Sequence, residues 1–337
     1  MPTDLAISTP FLITILAVVM LLLAGGAFFA VYVSFCDRLF KRIFHRPRPI
    51  PQVDRSPMEI DRSTIFGRGK NWFYTYRTEW LSVRVKAFDD TPLSAYFRPS
   101  SDRSCRNIAI FVHGYNEHPA EMAAYAKLLM KKIQCHCLIV HQRAHGISGG
   151  RDYTYGLKES VDLETWFEFA RNRIGPNCRI YVVGRGTGAT AALLAAEQDG
   201  FCPNVCGIIA DSPAESLIAI LKAVAHRESS MKPEAFIYRI RQLASKRFGF
   251  DINMCDCALY AGRIKVPVLL FQGGDDDVCL PSGTRNIYDN MRCKKRMVVI
   301  DSAKHLMAYE AAQATYEREV QKFIESCVMR LVKIGAL

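Results

Sequence analysis

The chain has 337 residues, 50% of them hydrophobic, enough to bury a full core and about one large α/β domain beyond an N-terminal segment. Its formal net charge is +11, yet no basic run is interleaved with aromatics, so a nucleic-acid partner is not expected and a basic surface beside an anionic membrane suits the balance better. The twelve cysteines are irregularly spaced, and Cys135-x-Cys137 and Cys255-x-Cys257 do not have zinc-site spacing; buried free thiols in a reducing compartment are expected, with no metal.

Phe11 to Phe35 carries no charge and is long enough to cross a hydrocarbon core, which needs about 20 apolar residues. Only Asp4 precedes it, which does not suit a cleaved signal peptide. A basic cluster follows, Arg38, Lys41, Arg42, Arg46 and Arg48, so the positive-inside rule predicts an outside N-terminus and a cytoplasmic main domain. Residues 1–36 are therefore expected to be a transmembrane anchor. Residues 37–70 read as a basic juxtamembrane linker, stiffened by the three prolines of Arg46-Pro-Arg-Pro-Ile-Pro51.

Leu81–Phe88 alternates, Asp89-Asp-Thr-Pro92 turns, and Leu93–Arg98 follows, which predicts an antiparallel hairpin. Ile108–Val112 is a continuous apolar run of the kind covered on both faces. A helix over about 120–132, a strand Cys137–His141, a helix Val161–Arg173 and a strand Arg179–Val183 come next. A glycine cluster, Gly184-Arg185-Gly186-Thr187-Gly188, then opens a small-residue helix, Ala189–Gln198. Beyond it lie a strand Val205–Ala210, a helical insert between Ser212 and Lys265, a strand Val266–Gln272, a helix Pro281–Met291, a strand Met297–Ile300 and a long helix from Met307. In the insert, Leu217, Ile218, Ile220, Leu221 and Val224 follow helical spacing. Alternating strands and helices predict an α/β fold with a mostly parallel sheet covered on both faces. Functional residues should then lie just past the C-terminal ends of the strands.

Those ends hold His113-Gly114-Tyr115, the stretch His141 to Gly150, the glycine turn, Asp211-Ser212, Gly273-Gly274-Asp275-Asp276-Asp277, and Asp301 to His305. A strand, a tight glycine turn and a helix N-terminus converge backbone N–H groups on an anion or a developing oxyanion. Gly184-x-Gly186-x-x-Ala189, with Asp211 some two dozen residues on, also fits a dinucleotide fingerprint. That fingerprint usually opens the first strand–helix unit of its domain, and here at least two units precede it. It also leaves His113-Gly114, the Asp276 turn and His305 without a role, so no cofactor is expected.

Taken together, most of residues 75–330 resemble the α/β-hydrolase family, and look closest to a membrane-anchored bacterial branch related to serine aminopeptidases and lysophospholipases. His113-Gly114-Tyr115 is similar to the family's oxyanion loop, and Arg143-Ala-His145-Gly-x-Ser148 to its Arg-Gly-His-Gly-x-Ser loop. Gly273-x-x-Asp276 is similar to its acid turn, and His305 to its catalytic histidine, in the family's chain order. The resemblance implies residues 71–337 as an α/β-hydrolase domain with a lid at about 213–265. It also implies Tyr115 and Thr187 as oxyanion donors through their N–H groups. Asp276 is the implied acid, with Asp275, Asp277 and Asp211 as alternatives. His113, His145, Ser148 and Ser212 are read as structural. The family's nucleophilic Ser falls on Gly186, which has no side chain, and Thr187 is one residue on. Losing the nucleophile typically costs on the order of 10⁶ in kcat. Two functions follow. One is an ester, amide or lipid-like acyl hydrolase in which His305 and Asp276 activate water; the other is a pseudoenzyme that retains the fold as a binding or scaffold domain.

Overall fold

A computed structural model describes residues 9–46, 60–228 and 233–333. Eight strands form one sheet: β1 (Leu81–Lys86), β2 (Pro92–Arg98), β3 (Asn107–Val112), β4 (His136–His141), β5 (Arg179–Arg185), β6 (Val205–Asp211), β7 (Val268–Gly273) and β8 (Lys295–Ile300). Their spatial order is β1-β2-β4-β3-β5-β6-β7-β8. The expected hairpin pairs Leu81 with Phe97 and Lys86 with Pro92, and β2 is antiparallel to β4; every later pairing is parallel. The two edges are recognisable from burial, since β1 and β8 are partly exposed whereas β6 and β7 are buried throughout.

Alternate residues of the central strands feed two cores. Ile110, Val112, Val182 and Leu270 face one layer, and Ala109, Phe111, Val183 and Phe271 the other, as the period-2 geometry of a pleated strand requires. The first layer contains α4 (Leu157–Ile174), α5 (Thr187–Ala196) and α9 (Pro281–Asn290). The second contains α2 (Ile65–Thr75), α3 (Ala123–Lys132) and α11 (Gln313–Lys333). All twelve cysteines are free thiols, and all but Cys293 are buried.

Several elements differ from the sequence expectation. α2 forms where a linker was expected, started by Thr64, whose hydroxyl accepts the Gly67 N–H. α4 begins at Leu157 because the Glu159 carboxylate takes the N–H groups of Thr154 and Gly156 at 3.0 and 2.8 Å. The terminal helix is broken into α10 (Ala308–Ala311) and α11, parted at Ala312. The insert contains α6 (Leu217–Glu228), α7 (Pro233–Phe248) and a short α8 (Cys257–Tyr260). Leu217 and Leu221 are buried in the first core; the Val224 side chain lies outside the described residues.

α1 (Thr9–Phe44) is long and apolar enough to cross a membrane, with a mean hydropathy of 2.7 over its most apolar 18 residues and no burial of that window by the protein. It continues past the expected anchor boundary at residue 36. Cys36, Leu39, Ile43 and Phe44 are buried. Ring contacts join Phe35 to Phe236 at 5.3 Å, and Phe40 and Phe44 to Phe248 at 5.7 and 5.4 Å, so the end of α1 packs on α7. Asp37 pairs with Arg239, and Asp152 pairs with both His45 and Arg247. The start of the expected linker is thus helix docked on the insert. Residues 47–59 of it, with Arg48 and the three prolines, lie outside the described residues, as does Asp4.

Candidate functional site

β5 ends at Arg185, α5 begins at Thr187, and Gly186 makes the turn between them at φ +56° and ψ −123°. That backbone is strained for a residue with a side chain. It is held by three hydrogen bonds: the Gly186 N–H donates to the Asp211 carbonyl at 2.8 Å, and the Gly186 carbonyl accepts the Thr190 N–H at 3.0 Å and the Thr190 hydroxyl at 3.3 Å. The three glycines of the turn differ in what they need. A Cβ on Gly184 would lie 2.5 Å from the Ala189 Cα, and one on Gly188 would lie 2.2 Å from the Val112 carbonyl oxygen. Those two are glycine because the first turn of α5 crosses the strands in backbone contact. A Cβ on Gly186 would meet the Leu306 methyls at 3.4 and 3.8 Å and Gly114 Cα at 3.7 Å, ordinary van der Waals distances. The middle position has room for a side chain and carries none.

The loop after β3 runs beside this turn. His113 is fully buried. Its Nε2 accepts the Gln142 N–H at 3.1 Å, which leaves Nδ1 to donate to the Gly114 carbonyl at 2.7 Å. Burial holds this imidazole neutral, with a pKa lowered to about 3. His145 is likewise lowered to about 2 by burial, and its Nε2 accepts the Asn116 N–H at 3.0 Å. The Gly114 N–H donates to Glu117 Oε2 at 2.7 Å, and Glu117 pairs with Arg185. Arg185 also donates to the Leu306 carbonyl at 3.0 Å and lies 4.5 Å over the Phe66 ring. One buried guanidinium therefore ties the glycine turn to the loop after β3 and to the loop after β8. Burial lowers its pKa to about 10, which leaves it charged at neutral pH.

The Tyr115 and Thr187 N–H groups make no hydrogen bond to a protein acceptor among the described residues. Thr187 opens α5, where backbone donors lack an intrahelical partner. Its hydroxyl is occupied by the Tyr153 hydroxyl at 2.6 Å, so its side chain is committed to the protein rather than to a ligand.

Of the four candidate acids, Asp276 is the one next to His305, with Oδ2 at 2.8 Å from His305 Nδ1. Its other oxygen accepts the N–H groups of Val278 and Cys279 at 2.9 and 2.8 Å, and Gln272 Nε2 reaches Oδ2 at 3.3 Å. The carboxylate is buried with both oxygens occupied, and the imidazole is partly exposed. His305 Nε2 has no protein partner among the described residues. Asp275 and Asp277 point to solvent. Asp211 lies in a separate buried pocket, where it accepts the hydroxyls of Tyr125 and Tyr316 at 2.9 and 3.1 Å. Ser148 bridges the Ser94 N–H and the His141 carbonyl, and Ser212 donates to Asp211 at 3.2 Å.

Sequence reasoning missed Arg185, Glu117, Gln272 and Tyr153. For Arg185 a signal existed: a cation follows directly on the apolar run of β5, where burial is expected, and a buried cation demands a carboxylate. Tyr153 carried no such mark.

A family model described as serine aminopeptidase, S33, matches residues 253–312. The uncharacterized protein YqkD of Bacillus subtilis (strain 168) is 28% identical over 222 residues, 65% of this chain and 72% of that protein. Among solved structures, the Pyrococcus furiosus esterase Pf2001 is similar with a TM-score of 0.61 at 21% identity, covering 84% of this chain and 98% of that one. Est1E from Butyrivibrio proteoclasticus, in its ferulic acid complex, is similar with a TM-score of 0.56 at 17% identity, covering 73% and 99%. With its strand order, its glycine turn and these likenesses, the chain has the α/β-hydrolase fold, and residues 253–312 match the serine aminopeptidase type of it.

Proposed function

We propose that this protein is a membrane-anchored acyl hydrolase in which water replaces the nucleophilic side chain. The observation that carries the reading is the Asp276–His305 pair, 2.8 Å apart, with the carboxylate fully hydrogen-bonded and the second imidazole nitrogen unengaged among the described residues. In this scheme His305 Nε2 takes a proton from water as its oxygen attacks the carbonyl of an ester or amide. The oxyanion rests on the Tyr115 and Thr187 N–H groups. The imidazolium, stabilised by Asp276, then protonates the leaving group, giving acid plus alcohol or amine with no acyl-enzyme. A small molecule or a lipid-like acyl compound is the substrate class. Gly186 itself favours a second reading, a binding or scaffold domain, because its Cα carries no attacking atom.

One experiment separates the two. The full-length protein in detergent is assayed for ester turnover beside His305→Ala and Gly186→Ser. Water activation predicts slow turnover that falls by about 10²–10⁴ in His305→Ala, the usual contribution of a general base. If the parent is as inert as His305→Ala, and Gly186→Ser gains turnover and fluorophosphonate labelling, the protein is a pseudoenzyme.

The orientation proposed for α1 places the domain on the cytoplasmic side, supported by the basic residues Arg38, Lys41, Arg42 and Arg46 after the apolar stretch. Protease added to intact cells should leave the domain uncut. Degradation there would put the domain outside.

A further inference from the structure

The two N–H groups proposed for the oxyanion belong to residues that the end of the membrane helix holds in place. Arg46, two residues beyond α1, is fixed by its own N–H, which donates to the Arg151 carbonyl at 2.7 Å. Its guanidinium donates to Asn116 Oδ1 at 3.0 Å, contacts His145 Nε2, and lies 5.4 Å over the Tyr115 ring. Asn116 has a positive φ of 60°, and its N–H goes to the same His145 nitrogen. The side chain of this strained residue is thus held by Arg46 and its backbone by His145. The Tyr115 ring also stacks on Tyr155 at 5.1 Å, and the Tyr155 hydroxyl donates to the Ile43 carbonyl at 3.0 Å. The Tyr153 N–H donates to the Phe44 carbonyl at 2.8 Å while its hydroxyl holds Thr187. Residues 43–46 therefore brace both halves of the corner, one through Tyr115 and Asn116, the other through Tyr153.

We infer that Arg46 is a positioning residue for the Tyr115–Asn116 turn, and that the end of the membrane helix is a working part of the site rather than a tether. The connection to chemistry rests on the hydrolase reading above; the positioning itself does not. Among the described residues no carboxylate pairs with Arg46, and its side-chain partners are a neutral imidazole, an amide and an aromatic face. The latch works through directed hydrogen bonds and stacking. A planar fork that stacks and donates at once is a property of guanidinium that an ammonium lacks, so lysine replaces it only in part.

The test uses the full-length chain in detergent. In hydrogen–deuterium exchange, amides of residues 114–118 should exchange about tenfold faster in Arg46→Ala, with Arg46→Lys between the two. Amides of β5 and β6 should be unchanged, which shows that the domain is folded. In a Gly186→Ser background, which supplies a nucleophile, Arg46→Ala should slow the covalent step of fluorophosphonate labelling about tenfold without changing the half-saturating probe concentration, and Arg46→Lys should recover part of the loss. Unchanged exchange at 114–118 in Arg46→Ala overturns the inference. So does faster exchange there with an unaltered labelling rate, which would make the contact purely structural. If Gly186→Ser takes no label even with Arg46 present, the installed hydroxyl is not activated, and the exchange measurement alone decides the positioning; the hydrolase reading fails instead if the parent's ester turnover equals that of His305→Ala.

Discussion

Gly186 sits at φ +56°, where a side chain is sterically tolerated yet conformationally strained, while its two neighbours in the motif are excluded from having one at all. Strain of this kind costs of order 1–3 kcal/mol for a non-glycine residue. The wild-type turn therefore retains the shape without that cost. Gly186→Ser should fold and melt a few degrees lower than the parent. Gly184→Ala and Gly188→Ala, which drive a Cβ into backbone atoms at 2.5 and 2.2 Å, should lose roughly 3 kcal/mol or more, or fail to accumulate. Thermal melts of the three variants check the order, and equal losses at all three positions would show that Gly186 is as tightly packed as its neighbours. The same reasoning explains why the turn could be found in the sequence but its use could not. The pattern Gly-x-Gly-x-Gly marks backbone crossing backbone, and that crossing serves a phosphate, an oxyanion or neither.

The strands β3 to β7 were legible because both faces of each are covered, which writes a continuous apolar run into the chain, and the hairpin was legible from its alternation. α2 was not, because its apolar residues are spread through a basic stretch and its start depends on one hydroxyl at Thr64. The break between α10 and α11 is a single residue, Ala312, with nothing in its chemistry to mark it. The acid turn shows the limit at finer grain. Asp275, Asp276 and Asp277 are equivalent as letters, and only the direction of the Val278 and Cys279 N–H groups aims the middle carboxylate at His305. Arg185 joins the elements that carry these parts, since it reaches Glu117 after β3 and Leu306 after β8 from the end of β5. Arg185→Met keeps much of the volume and strands a largely buried Glu117. It should destabilise the domain by about 3–5 kcal/mol, read from chemical denaturation, and Arg185→Met with Glu117→Gln should recover part of that loss. Additive losses in the double variant would show that the pair is not coupled.

At the scale of the molecule, α1 has two environments along one rod. The large side chains from Phe11 to Val31 are exposed and apolar, whereas Cys36, Leu39, Ile43 and Phe44 are packed under α7 and Tyr155. Removing residues before 60 would bare Phe236, Phe248 and Tyr155 together. The shortened chain is expected to melt lower than the full-length protein in the same detergent and to associate in its absence; equal melting temperatures would mean that the packing contributes nothing. Because α1 precedes α7 by some two hundred residues, the arrangement also sets a schedule for biogenesis. At about 5–20 residues per second, Phe35, Phe40 and Phe44 leave the ribosome roughly 10–40 s before the helix that covers them. During that interval three phenylalanines stand uncovered at the end of a helix long and apolar enough to cross a membrane, and the nascent chain has an aromatic surface to be shielded until α7 arrives.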